Sequence, residues 1–129
     1  MNEKEIEEIL ELHNKNFLDK KRYEEIVSMY KNPNYLIFSI YEEELVGYII
    51  IHDSFDCYEL FEIAVKEKFR NKGYAQQLLY NIPDYKNTFL EVSEKNIAAI
   101  KLYEKIGFEK ISIRKKYYLD GSNALIMKK

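Results

Sequence analysis

Three glutamates, one tyrosine and one glycine turn carry the chemical interest of this sequence. The turn is Arg70-Asn71-Lys72-Gly73-Tyr74-Ala75, set between the apolar run Leu60-Phe61-Glu62-Ile63-Ala64-Val65 and a helical stretch from Gln76 to Tyr80. A strand that enters a glycine turn and leaves as a helix gathers several main-chain N–H groups at one point. Such a point binds anions, pyrophosphates in particular. The donors are the amides of Asn71, Lys72, Gly73, Tyr74, Ala75 and Gln76, with Arg70 and Lys72 adding a diffuse positive field. Taken alone, R-x-x-G-x-A also describes an ordinary strand-to-helix connection in which Gly73 supplies a permissive dihedral. The flanking strand and helix are the context that the anion reading requires. Glu91 lies between Leu90 and Val92, an unexpected place for a purely structural carboxylate, although strand alternation also offers it a solvent-facing position. Glu59 and Glu62 sit at an odd offset on the earlier strand and so should face opposite sides. Glu62 then reads as a substrate contact or a surface charge. Tyr103 shares a helical face with Ala99, Leu102 and Ile106, so its phenol either packs in a core or reaches a site from it.

These residues need elements to position them. Residues Glu3 to Phe17 place Ile6, Ile9, Leu10, His13 and Phe17 on one helical stripe, with Asn2 as cap. Asp19 can cap a second helix whose apolar face is Tyr23, Ile26, Val27 and Tyr30, and Pro33 lies beyond its end. Tyr35 to Tyr41 and Leu45 to His52 read as an antiparallel hairpin about Glu42-Glu43-Glu44. Tyr58 to Val65 continues the sheet. The helix after Gly73 carries Ala75, Leu78, Leu79 and Ile82, and Pro83 is expected to end it. Thr88 to Val92 is a short buried strand. Asn96 caps the following helix, and Gly107 stops it. Ile111 to Leu119 and Asn123 to Met127 should form a last hairpin about Asp120-Gly121. The layout is an α/β (α+β) fold, a mixed sheet with helices on both faces.

The bulk numbers set the frame. The 129 residues suit one domain spanning 1–129, and 47% of them are hydrophobic, which favours a folded globule over disorder. A formal charge of −2 offers no general attraction to nucleic acid or membrane. Cys57 is the sole cysteine, so no intramolecular disulfide forms. His13 and His52 lack metal-ligand spacing, and no metal is expected. With no signal-like apolar core and no run long enough to span a bilayer, cytoplasmic residence is the expectation.

The order of parts resembles the GCN5-related N-acetyltransferases. The resemblance runs from about Tyr35 to Met127 and rests on Ile63-Ala64-Val65, the glycine turn, Leu90-Glu91-Val92 and the segment Asn96 to Phe108. It continues through Arg114-Lys115-Lys116-Tyr117-Tyr118, Asp120-Gly121 and Ala124-Leu125-Ile126-Met127. The nearest subgroup is the bacterial ribosomal-protein-alanine N-acetyltransferases, which modify protein N-termini. The resemblance implies a mostly antiparallel sheet with a splayed central pair of parallel strands, Tyr58–Val65 and Thr88–Val92. Because the chain starts almost directly with a helix, the family's first strand should be missing. The implied cosubstrate is acetyl-CoA, its pantetheine arm bonded by the main chain of Ile63, Ala64 and Val65, with the Val65 N–H facing the acetyl oxygen. Asn96 is a further contact to that arm, besides its capping role. By the same resemblance Glu91 is the general base, with Glu59 as the alternative, and Tyr103 is the general acid. Tyr117 and Tyr118 could flank an incoming peptide. The implied reaction is direct attack by an amine in a ternary complex, preferentially the α-amine of a protein or peptide N-terminus, by a monomer or homodimer. Lysine, polyamine or small-molecule amines remain alternative acceptors, and a non-catalytic CoA-binding module is an alternative role.

Overall fold

The computed structural model describes residues 2–129. Asn2 caps α1 (Glu3–Asn16): its side-chain oxygen accepts from the Glu5 N–H at 2.8 Å. The second helix, α2 (Tyr23–Lys31), starts without a side-chain cap, so Asp19 does not play the part expected of it. Asp19 instead lies in the irregular connection, where its carbonyl accepts from His13. Strands β1 (Tyr35–Tyr41), β2 (Leu45–Asp53) and β3 (Tyr58–Val65) follow as an antiparallel meander. Then come α3 (Tyr74–Leu79), β4 (Thr88–Ser93), α4 (Ile97–Ile106), β5 (Glu109–Arg114) and β6 (Ala124–Lys128).

The six strands form one sheet in the order β1-β2-β3-β4-β6-β5. Among the described residues no strand precedes α1, so β1 is an edge, as expected. β2 is buried on both faces, which explains its almost unbroken apolar sequence. Ile49 and Ile51 pack with Leu78 and Leu79 of α3 and Tyr103 of α4. Tyr48 and Ile50 pack with Ile6 and Ile9 of α1 and Ile26 of α2. Each such isoleucine, withdrawn from water, contributes roughly 1.5–3 kcal/mol. Helices therefore cover both faces, with β2 as the shared floor.

Two elements differ from the sequence expectation. α3 stops at Leu79 rather than running to Pro83. Asn81 ends it early: both its main-chain N–H (3.0 Å) and its side-chain amide (3.2 Å) donate to the Leu78 carbonyl. The last hairpin is also looser than a two-residue turn. β5 ends at Arg114, Lys116 takes a positive φ of 50°, and the chain wanders to residue 123 before β6 begins. Within that loop the Asp120 carboxylate accepts from the Ser122 N–H at 2.8 Å. Asp120-Gly121 thus makes a local turn inside a longer connection.

Candidate active site

The defining feature is where β3 and β4 part. They pair in parallel at Tyr58–Thr88 and Glu59–Phe89, and no further pairing joins them. Beyond those positions Leu60–Val65 and Leu90–Ser93 diverge while staying bonded to their outer neighbours β2 and β6. A bulge at Phe61 helps to turn β3 away: Leu60 pairs with Ile51 and Glu62 with Ile50, leaving Phe61 unmatched. The expected splay is present.

Main-chain direction at the gap follows from one hydrogen bond. The Lys66 N–H donates to the Val46 carbonyl at 2.9 Å, so alternate amides of β3 turn towards β2. Those of Val65 and Ile63 therefore turn towards the gap. Gly47 lets the two strands approach this closely. A Cβ on Gly47 would lie 2.5 Å from the Ala64 carbonyl oxygen. Nothing in the residue pattern alone distinguished this glycine.

The turn after β3 leaves the main-chain amides named from the sequence without partners. Asn71 and Gly73 have φ of 61° and 89°, and the peptide groups between β3 and α3 curl accordingly. Among the described residues no hydrogen bond takes up the N–H of any residue from Asn71 to Gln76; the first helical amide in use is Gln77, bonded to the Gly73 carbonyl at 3.1 Å. Six successive donors are left unpaired, and no Cβ crowds them at Gly73. A groove of about 360 Å³ runs from Val65 past Arg70, Asn71, Gly73, Tyr74, Ala75 and Gln76 to Ala98, Ala99, Leu102 and Lys105 of α4. Lys105 was not singled out by motif; only its place at the end of α4 brings it here.

The flanking cations do less than their number suggests. Arg70 donates through Nε to the Val65 carbonyl (2.9 Å) and through its terminal nitrogen to Asn16 (2.6 Å), tying the turn to β3 and α1. Lys66 and Lys68 both pair with Glu44, at 3.7 and 2.7 Å. Lys72 is exposed and lies outside the groove lining. Asn96 spends its side chain as a cap, accepting from the Ala99 N–H at 3.2 Å.

Glu91 and Tyr103 lie on opposite faces of the sheet, and Tyr103 sits in the packed core, outside the lining of the groove. Leu90 and Val92, the neighbours of Glu91 on β4, belong to the cluster that holds Tyr103, so Glu91 points the other way. It lines a second cleft of about 790 Å³ together with Glu59, Leu60, Phe61, Tyr117 and Tyr118. There Glu91 Oε1 lies 3.4 Å from an Arg114 guanidinium nitrogen. Its charge, after burial, also raises the pKa of Tyr118 above the usual phenol value. Glu59, at the last paired position, lies 3.9 Å from His52 Nδ1. Both candidate bases share this cleft. Tyr103, 7% exposed and packed edge-on against Phe108, has its pKa pushed up to about 12 by burial. A phenol so placed keeps its proton at neutral pH.

Glu62 corrects the sequence reading. The bulge at Phe61 resets the alternation: Glu59 pairs with His52 and Glu62 with Ile50, two residues of one face of β2, so the two glutamates share a side instead of opposing each other as expected. Glu62 is buried, neither a surface charge nor a cleft group. Its Oε2 meets His13 Nδ1 at 2.8 Å and the Tyr48 hydroxyl, and Lys21 stands 3.9 Å from its other oxygen. A lone carboxylate in an apolar strand gave no hint of these partners, because they come from α1, β2 and the α1–α2 connection.

A further cleft, about 850 Å³, lies at the other end of β4 around Tyr80 to Thr88 and contains none of these groups. Among the described residues no cluster of His, Cys, Asp and Glu could hold a metal ion, and no helix is long and apolar enough to cross a membrane.

Residues 4–108 match the Acetyltransferase (GNAT) family. The chain belongs to that family. A [Ribosomal protein bS18]-alanine N-acetyltransferase from Haemophilus ducreyi is 36% identical over 96 residues, 67% of this chain and 66% of the relative. An N-alpha-acetyltransferase from Saccharolobus solfataricus is 43% identical over 72 residues, covering 50% of this chain and 43% of that protein. The chain therefore spans under two thirds of the length of these curated relatives. Among solved structures, the ribosomal-protein-S18-alanine N-acetyltransferase from Escherichia coli superposes with a TM-score of 0.85 at 26% identity, over 99% of this chain and 88% of that one.

Proposed function

We propose that this GNAT-family chain transfers the acetyl group of acetyl-CoA to a primary amine, and that its preferred acceptor is the α-amine of a protein or peptide N-terminus. The observation that carries the reading is the opened β3–β4 pair, with free amide donors at one mouth and carboxylates at the other. The amides of residues 71–76 suit a diphosphate, and the outward main chain of Ile63 and Val65 suits the amide-bearing pantetheine arm, in the manner of an added strand. Acetyl-CoA supplies an activated acyl thioester. Val65 N–H would polarise the acyl oxygen. Glu91 takes the proton that the amine must lose, directly or through water, and Tyr103 gives a proton or hydrogen bond to the departing sulfur. The two act across the sheet, so neither can short-circuit the other.

The α-amine preference has a chemical basis besides the relatives' names. At pH 7 roughly a tenth of α-amines are neutral, against fewer than about one in a thousand lysines. A carboxylate base matches the former better. The Glu91 cleft, walled by Phe61, Tyr117 and Tyr118, has a volume of about 790 Å³ and an aromatic lining suited to a peptide end. The test is mass spectrometry of peptides incubated with acetyl-CoA and the protein. Acetylation on the α-amine of peptides whose lysines stay unmodified supports the reading. Acetyl-CoA binding without transfer to any peptide, lysine, polyamine or small amine would replace it with a CoA-binding module.

A further inference from the structure

The connection between α1 and α2, residues 17–22, contributes Asp19 to the Glu91 cleft but forms neither helix nor strand. Two consecutive residues at the end of α1 hold it. Asn14 grips the Lys21 main chain from both sides, accepting from its N–H (2.8 Å) and donating to its carbonyl (3.1 Å). His13 Nε2 lies 2.7 Å from the Asp19 carbonyl, and its ring stacks on Phe17 at 4.8 Å. Through Nδ1 the same imidazole reaches Glu62 on β3, next to the bulged Phe61 that lines the cleft. His13 is 1% exposed and Glu62 7%, far from where solvent would weaken the pair.

Donor counting fixes what this bridge needs. A carbonyl only accepts, so Nε2 must carry a hydrogen. Glu62 Oε2 already receives the Tyr48 hydroxyl, whose pKa burial and the Glu62 charge raise well above the ordinary phenol value. Nδ1 at 2.8 Å from that oxygen therefore shares a proton with it. The titratable groups facing the ring are Tyr48 from β2, Glu62 from β3, and Lys21 and Asp19 from the connection itself. Remove the shared proton, and a nitrogen lone pair confronts a carboxylate; the imidazole can then serve only one of its two partners.

We propose that His13 is a positioning residue for acceptor binding: a proton-dependent clasp, closed on Glu62 and the Asp19 carbonyl, that holds residues 17–22 against β3. The proposal rests on the acetyl-transfer reading for its kinetic arm only. It assigns the α1–α2 connection an alkaline release that leaves the acetyl-CoA groove untouched.

The test uses the full chain, an α-amine peptide and acetyl-CoA, with each KM measured from about pH 6 to about pH 9.5. Glu62→Gln is the key variant, because the introduced amide can donate to a neutral Nδ1 while Nε2 still serves Asp19. The ratio of acceptor KM in wild type to that in Glu62→Gln cancels the peptide's own titration. It should rise about tenfold towards alkaline pH, the loss of one strong hydrogen bond, with the acetyl-CoA KM unchanged. His13→Ala should raise the acceptor KM about tenfold even at low pH by removing the same bond. A flat ratio, or an acetyl-CoA KM that moves in step, overturns the clasp. Hydrogen exchange of residues 17–22 decides it independently of any variant's folding: corrected protection should fall with pH in wild type, and constant protection refutes the proposal. If no amine is acetylated at all, the transfer reading fails while the exchange experiment still judges the clasp.

Discussion

The separate roles proposed for Glu91 and Tyr103 rest on strand alternation and burial. One points into a solvent-reaching cleft beside Arg114, the other into the packed layer under α4. Glu91→Gln should lower kcat about 100-fold or more, the usual worth of a general base, with acetyl-CoA affinity unchanged by calorimetry. Glu59→Gln should change kcat by less than about tenfold if Glu91 is the base; the reverse ranking would transfer the role to Glu59. For Tyr103 the pH sign is definite. Its folded pKa of about 12 exceeds the unfolded value near 10, so the unfolded chain loses this proton first. Stability from keeping Tyr103 neutral is complete below about pH 10 and drains away towards pH 12, on the order of 2 kcal/mol in all. Tyr103→Phe should therefore cut kcat while making alkaline unfolding less steep, read by denaturant titration at rising pH. The motif residues were legible in sequence because each repeats a local pattern. The Glu62–His13 pair was not, since residues 49 positions apart meet only after α1 has docked on β3.

At the scale of elements, two glycines set the shape of the site by different means. Gly47 leaves room: a methyl there would press on the Ala64 carbonyl, main chain that cannot swing aside. Gly47→Ala should cost about 1–3 kcal/mol, as overpacking does, and weaken acetyl-CoA binding by shifting the end of β3. Gly73 has no neighbour within 4 Å of an added Cβ, so its substitution meets strain alone, at φ of 89°. Gly73→Ala should cost about 1 kcal/mol in denaturant unfolding and lower acetyl-CoA affinity more than Gly47→Ala does. Strand limits were readable from alternation and turn residues; β3 falls on Tyr58–Val65 as expected. α3 and the final hairpin were misread for a shared reason. Asn81, and the run from Lys115 to Asn123, act through hydrogen bonds and positive φ, and neither leaves a hydrophobic period to read.

At the scale of the molecule, the proposed reaction has a cosubstrate and an amine meet through a slit in the sheet. β2, buried on both faces, anchors β3; β6 anchors β4; the two central strands can separate because each keeps an outer partner. The fold class and the slit were legible from the order of motifs, whereas the walls of the Glu91 cleft depend on loops converging from three parts of the chain. The most direct measurement is a backbone amide NMR titration with acetyl-CoA. The account predicts the largest shifts at residues 71–76 and at Ile63 and Val65, with little change around Tyr80 to Thr88. Shifts confined to the cleft beside Tyr80, or no shifts at saturating acetyl-CoA, would contradict it.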